Sequence, residues 1–224
     1  MGIAPCAVLI PTLGRPRRVA EIARNLRSAS PAARPVFIIE SSDEETVQAA
    51  AGHDALIGDF GNYSVAINHA IRRTAEPFVF TGADDLMFHP GWLEHALGAA
   101  AAHPEAGVIG TDDLGNPYVA LGLHSTHSLI RRSYAERGGM TAGVLMHEGY
   151  THNFTDVELV EVARARRAFR ACLDARAEHL HPDFQTREPD ATHERTRRAI
   201  DADRALFLER RESWRQQIDP VLTY

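Results

Sequence analysis

The sequence predicts an α/β fold in which a mainly parallel β-sheet is covered by helices on both faces. Three observations lead there. Short apolar runs rich in β-branched and aromatic residues alternate with segments whose apolar residues recur at helical spacing. The strand-like runs stop at turn residues or carboxylates, as buried parallel strands do where they meet loops. A chain of 224 residues, 44% hydrophobic and 24% charged, is long enough for one substantial core and has ordinary globular composition.

The elements follow in order. Ala7-Val8-Leu9-Ile10 reads as a buried strand ending in the turn Pro11-Thr12-Leu13-Gly14-Arg15-Pro16. Val19, Ile22, Ala23 and Leu26 then mark a helix over 17–29, and Val36-Phe37-Ile38-Ile39 a second strand. A short helix over 44–51, a strand at Ala55-Leu56-Ile57, a helix over 64–74 and a strand at Phe78-Val79-Phe80-Thr81 continue the alternation. A helix over 92–102 and a strand at Val108-Ile109 extend it, and from Gly110 to Asn153 the periodicity is lost. Thr155 and Glu158 have capping-box spacing, which predicts a helix running to about Leu173. Pro182 to Ala191 reads as a linker, and a last helix over about 192–217 aligns Ile200, Phe207, Trp214 and Ile218 on one stripe.

Composition narrows the function. Every one of the 24 basic residues is arginine, and alanine is abundant, which fits the coding bias of a GC-rich genome such as that of an actinobacterium or one of its phages. A net charge of -6 argues against a protein that coats nucleic acid, although a local basic groove is compatible with it. The two cysteines, Cys6 and Cys172, have no metal-motif spacing and read as free thiols. No apolar run approaches the ~20 residues of a membrane span, and Met1 to Pro11 lacks the features of a secretory signal, so a cytoplasmic location is expected.

The strongest chemical signal is Thr81-Gly82-Ala83-Asp84-Asp85, where a buried strand ends in adjacent carboxylates. Ligands of open parallel sheets bind at the carboxyl ends of strands, and carboxylate oxygens suit Mg2+ or Mn2+, which can bridge a protein to a diphosphate. The bland alternative is a pair of aspartates capping the helix that begins near Pro90.

The segments Pro11-Thr12, Arg15-Pro16, Glu40 to Asp43, Asn68 and Ala83-Asp84-Asp85 followed by Pro90-Gly91-Trp92-Leu93 resemble, in order and spacing, the family-2 glycosyltransferases of the GT-A fold. The resemblance runs from about Ala7 to Arg132, resumes at Thr155-Asp156, and implies a single domain over 1–224. Residues 1–110 would form its nucleotide-sugar-binding half, 111–182 its acceptor side and 183–224 a C-terminal helical extension. The implied fold is a Rossmann-like, mainly parallel mixed sheet flanked by helices. Pro11, Thr12, Arg15, Glu40, Asp43, Asn68, Ala83 and Asp84 are then expected around the nucleotide-sugar, with a UDP-sugar favoured. Asp84, Asp85 and His181 are expected to ligate Mn2+ or Mg2+, with His181 preferred to His179 and with His124, His127, His147 and His152 as weaker alternatives. Asp156, at a helix start that favours its ionised form, is the implied catalytic base of an inverting transfer. One departure stands out: the family's acidic motif usually begins with an aspartate where this chain has Gly82.

Other readings make distinct demands. A dinucleotide-binding protein needs a G-x-G-x-x-G turn after the first strand, and the proline-flanked turn here lacks it. Gly82 raises the alternative of an inactive GT-A module that binds a nucleotide or a partner, and Asp84, Asp85 and the histidines that of a metal hydrolase. Arg131, Arg132, Arg204, Arg210 and Arg211 could hold an anionic ligand or form a salt-bridged face. The acceptor, whether glycan, small metabolite or hydroxymethylated base in phage DNA, and the oligomeric state are left open.

Overall fold

The computed structural model describes residues 5–186 and 188–222, with side chains through Trp214. In chain order its elements are β1 (Cys6–Thr12), α1 (Pro16–Ala29), β2 (Ala33–Glu40), α2 (Glu44–Ala49), β3 (Ala55–Gly58), α3 (Tyr63–Arg73), β4 (Phe78–Thr81) and β5 (Leu86–Phe88). There follow α4 (Trp92–Ala102), β6 (Val108–Asp112), α5 (Pro117–Ala120), β7 (Ser128–Arg131), α6 (Arg132–Arg137), α7 (Thr155–Ala165), β8 (Phe169–His179) and α8 (Ala191–Leu222). The strands form one sheet in the order β3-β2-β1-β4-β7-β6-β8-β5. β3, β2, β1 and β4 run parallel, and β7 is antiparallel to both β4 and β6.

The apolar run of β1 is continuous because both faces of this central strand are covered. Cys6, Val8 and Ile10 enter a core with Ile22, Leu26, Phe80 and Trp92, whereas Ala7 and Leu9 enter a second core with Ile38, Ile67, Val79 and Leu159. α1 starts with Pro16, whose fixed φ suits a first helical position, and buries Val19, Ile22, Ala23 and Leu26 against the sheet. The residue just before that proline, Arg15, is thereby fixed at the carboxyl edge of β1.

The second half departs from the sequence expectation. The segment from Gly110 to Asn153 contains β7, α5 and α6, and β7 joins the two halves of the sheet. The helix from Thr155 ends at Ala165 rather than near Leu173, because Arg167 turns into the left-handed region at φ 56° and the chain re-enters the sheet as β8. β8 pairs in parallel with β6 and antiparallel with β5. The capping box does not form. Phe154 takes the cap position at φ 66°, the Thr155 hydroxyl donates to the His152 carbonyl, and Glu158 accepts from Tyr150 and Arg210. α8 docks through the buried Phe207 and Trp214, while Ile200 lines a cavity instead and the side chain of Ile218 lies outside the described residues.

Candidate active site

A cavity of about 390 Å3 opens at the carboxyl ends of the parallel strands. Pro11 and Thr12 from the end of β1, Glu40 from β2 and Ala83, Asp84 and Asp85 after β4 form one side of its lining. The loop before α7 and its first turn contribute His152 to Val157, β8 and its exit contribute His179 and His181, and α8 contributes Thr192, His193, Thr196 and Ile200. This is where an open α/β sheet binds its ligands.

The backbone explains Gly82. Its N–H donates to the Leu9 carbonyl at 2.9 Å, and a Cβ at this position would stand 2.8 Å from that oxygen. Strands β1 and β4 approach too closely here for any side chain, so the acid that the resemblance leads one to expect is sterically barred. The acids that do follow this position, Asp84 and Asp85, are 3% and 6% exposed.

Two buried carboxylates side by side demand a counter-charge. Arg15 supplies it: its Nη1 donates to Asp84 Oδ1 at 2.5 Å and lies 3.5 Å from Asp85 Oδ2, while Nε and Nη2 donate to the two oxygens of Asp190 at 2.8 and 3.0 Å. Arg15, expected against the nucleotide, is thus held by three acids. Burial and the Asp85 charge push the Asp84 carboxyl up to about 7, against the pull of Arg15. Asp85 goes the other way; although burial opposes it, His179, Arg15 and His127 hold it below the usual carboxylate range.

Four imidazoles extend from this pair. His127 and His179 have ring centroids 5.1 Å apart, His179 and His181 4.9 Å, and His181 and His193 5.1 Å. His179 touches the acid pair, its Nε2 lying 3.4 Å from Asp85 Oδ1, whereas His181 Nδ1 accepts from the Asp183 N–H. His179 thus makes the direct contact with Asp85, and both His179 and His181 line the cavity. Burial, together with the charge on His179, lowers the His181 pKa to about 4 and so favours the neutral ring that can ligate a metal.

Among the described residues no three donors converge on one point. The set nevertheless has the chemistry of a divalent-cation site. Among the described residues His179 Nδ1 and His127 Nε2 are buried without a hydrogen-bond partner, Asp85 Oδ1 is met only by the His179 ring at 3.4 Å, and the Arg15 guanidinium stands where a cation would offset the charge of the two aspartates. Withdrawal of Arg15 toward Asp190 would expose that oxygen-rich face.

Asp156 sits in the first turn of α7 and lines the same cavity. Its Oδ2 accepts from His124 Nε2 at 3.1 Å. Burial opposes ionisation, yet His124, the Val157 N–H and His127 hold the carboxyl below its ordinary pKa, so Asp156 is a carboxylate at neutral pH. The preceding loop is pinned by α8, whose Asp203 accepts the N–H groups of Thr151, His152 and Asn153 at 2.8 to 3.0 Å.

The remaining expectations divide. Pro11, Thr12, Glu40 and Ala83 line the cavity, but both Glu40 oxygens already accept from the N–H groups of Phe60 and Gly61. Asp43 and Asn68 lie outside the lining. Asp43 caps α2 through Thr46 and accepts from the Gly14 N–H, which shapes the loop around Arg15. Asn68 is buried and ties α3 to the backbone of Leu145 and Met146, so its polar atoms serve the fold. Arg131 and Arg132 bind backbone carbonyls, and Arg210 and Arg211 pair with Glu158 and Glu161, which makes all four structural. Sequence reasoning missed His193 and Asp190, because only the return of α8 across the sheet brings them to Arg15.

No protein-family model matches the sequence, and no curated protein matches it. Solved structures do match by shape. A mannosyltransferase from Pyrobaculum calidifontis in complex with GDP-Man and Mn2+ superposes with a TM-score of 0.61 at 16% identity, over 78% of this chain and 56% of that one. Glucosyl-3-phosphoglycerate synthase from Mycobacterium tuberculosis, in complex with Mn2+, UDP-Glc and phosphoglyceric acid, gives 0.61 at 12% identity over 89% and 78%. Residues 1–349 of Staphylococcus aureus TarS in complex with UDP-GlcNAc give 0.61 at 12% over 88% and 66%. The chain spans little more than half the length of the mannosyltransferase. In its eight-stranded sheet, flanking helices and C-terminal helix, this chain has the GT-A fold of the glycosyltransferases.

Proposed function

We propose that this chain is a metal-dependent glycosyltransferase that moves a sugar from a nucleotide-diphosphate-sugar to an acceptor hydroxyl with inversion. The observation that carries the reading is one cavity, at the carboxyl edge of the parallel strands, lined both by the acid pair Asp84-Asp85 and by the ionised Asp156. The first has the donor atoms for a cation that grips a diphosphate, and the second is a base held ionised by His124, the Val157 N–H and His127. Structures of the same fold in complex with Mn2+ and GDP-Man or UDP-Glc support the pairing of metal and nucleotide-sugar.

Asp84 and Asp85, with His179 or His181, would hold Mn2+ or Mg2+. When bound, that ion neutralises charge on the leaving diphosphate. The chain's own residues do the rest. Pro11, Thr12, Glu40 and Ala83 border the nucleotide, α8 closes over the donor and excludes water, and Asp156 takes the acceptor's proton. The acceptor oxygen bonds to the anomeric carbon as the carbon–oxygen bond to the diphosphate breaks, and the electron pair leaves with the nucleoside diphosphate. A UDP-sugar is the favoured donor.

The test is a thermal-shift panel of UDP-glucose, UDP-GlcNAc and GDP-mannose with and without Mn2+, followed by hydrolysis of each without acceptor. A ligand that binds only the native state raises its melting temperature. Mn2+-dependent hydrolysis lost in Asp84→Ala is the expected result. Binding without turnover in every combination would favour an inactive nucleotide-binding module. Glycans, small metabolites and hydroxymethylated DNA are distinguished as acceptors by product analysis, and a DNA acceptor further requires salt-sensitive retention of DNA.

A further inference from the structure

The contact between Asp156 and His124 has no counterpart among the roles assigned so far. His124 precedes β7 in the stretch the sequence left aperiodic, and β7 delivers its neighbours, Ser125 and His127, into the buried centre of the sheet. The fold thereby sets the His124 ring against the first turn of α7, with Nε2 3.1 Å from Asp156 Oδ2 and both side chains largely covered, at 15% and 26% exposed. Oδ2 is thereby occupied, and the carboxylate as a whole lines the cavity.

We propose that His124 is a positioning residue for the transfer reaction, orienting Asp156 and setting its proton affinity through the Nε2–Oδ2 hydrogen bond. The inference rests on Asp156 as the base. A carboxylate at a helix start can turn about its χ angles, and a fixed donor on one oxygen selects the rotamer that presents the other to the acceptor. During transfer the acceptor O–H proton passes to the Asp156 carboxylate, and the hydrogen bond from His124 to Oδ2 persists throughout. His124 gives up no proton and touches no reacting atom.

The surroundings favour a cationic ring. Burial works against the charge, but Asp156, Asp113 and Glu161 all raise the His124 pKa. Asp156 in turn faces His124 and His127, and its charge reaches Tyr63, His152 and His179 across the cavity. A cationic partner weakens Asp156 as a base while keeping it ionised to lower pH, so removing His124 has two separable consequences: loss of orientation and a rise in the pH at which the base becomes ionised.

The experiment follows kcat and KM against pH for the nucleotide-sugar that the panel above hydrolyses fastest with Mn2+, in wild type, His124→Ala and His124→Gln. In His124→Ala, kcat falls about 10- to 100-fold, less than the loss expected on removing the base itself, KM for the donor stays close to wild type, and the acid limb of the kcat profile moves to higher pH. His124→Gln retains a donor without the charge. It regains most of the rate while its acid limb remains displaced, a split that a merely structural role would not produce. An acid limb and kcat unchanged from wild type in both variants overturn the inference and leave the proposed function standing. No turnover by wild type with any donor overturns the function and this inference together. If His124→Ala does not fold, the displaced acid limb in His124→Gln alone decides.

Discussion

Arg15 Nη1 lies 2.5 Å from Asp84 Oδ1, so the cavity's acid pair already has a counter-charge from a side chain anchored at the start of α1. The same guanidinium grips Asp190 with its other two nitrogens. This geometry makes Arg15 an internal cation that can be drawn aside without losing all its partners.

Replacing Arg15 therefore has a sign that depends on the solution. Arg15→Gln leaves two adjacent buried carboxylates without their counter-ion, and breaking a buried pair in this way costs about 3–5 kcal/mol, a fall in Tm on the order of 10 °C. Mn2+ should recover part of that loss, because it binds where the guanidinium was. Differential scanning fluorimetry across a Mn2+ titration checks this: the variant's Tm should climb more than wild type's, and equal slopes would mean that Asp84 and Asp85 do not form a cation site.

Gly82 yields the opposite kind of prediction. An aspartate there would complete the acidic motif of the resembled family, yet its Cβ would stand 2.8 Å from the Leu9 carbonyl oxygen, which belongs to the backbone of a central strand. Gly82→Ala and Gly82→Asp should each destabilise by about 1–3 kcal/mol, as overpacking does, and Gly82→Asp should gain no affinity for Mn2+. Urea unfolding and calorimetric Mn2+ titration of the two variants measure both outcomes.

These two residues also mark what the sequence made legible. The continuous apolar runs of β1 and β4 announced buried parallel strands, and the carboxylates following β4 marked the ligand edge, because burial on both faces leaves its signature in local composition. β8 was hidden because Ala, Arg and Glu in Ala171 to Glu178 are good helix formers, and pairing with β6 and β5 overrode that preference. A signal was present: Ala175 and Ala177 are fully buried and alternate with Asp174, Arg176 and Glu178, which is strand periodicity. The link from Arg15 to Asp190 and His193 had no local signature at all, since it joins residues more than 170 positions apart. Asn68 misled for the converse reason, as a polar residue on a helix reads alike whether it faces a ligand or a buried carbonyl.

Asp203 provides a test of α8 as a wall of the site. Its carboxylate accepts three consecutive backbone N–H groups from Thr151 to Asn153 and the Asn153 amide. Burial opposes ionisation, but those N–H groups hold the carboxyl below its ordinary pKa. A depressed acid contributes stability that is present above its unfolded pKa and disappears as pH falls through the folded value. Asp203→Asn should thus lose about 1–3 kcal/mol at pH 7, with the gap to wild type narrowing as pH drops below ~4. Urea unfolding at both pH values checks the sign, and a gap that widens in acid would assign the loss to something other than the carboxylate charge.

Asp156→Asn isolates the base. The amide preserves shape and can still meet His124, and the residue, in the first turn of α7, takes part in none of the Arg15 ion pairs, so fold and donor binding should persist. What disappears is the capacity to accept a proton from the acceptor, and turnover should fall by about 10²- to 10⁴-fold. The loss should appear in kcat with KM for the nucleotide-sugar nearly unchanged, because Asp156 acts on the acceptor rather than on the diphosphate. Steady-state kinetics of Mn2+-dependent hydrolysis provide the comparison. Turnover near the wild-type rate would remove Asp156 from the chemistry and direct the search for a base to the other ionisable groups of the same cavity wall, beginning with His152.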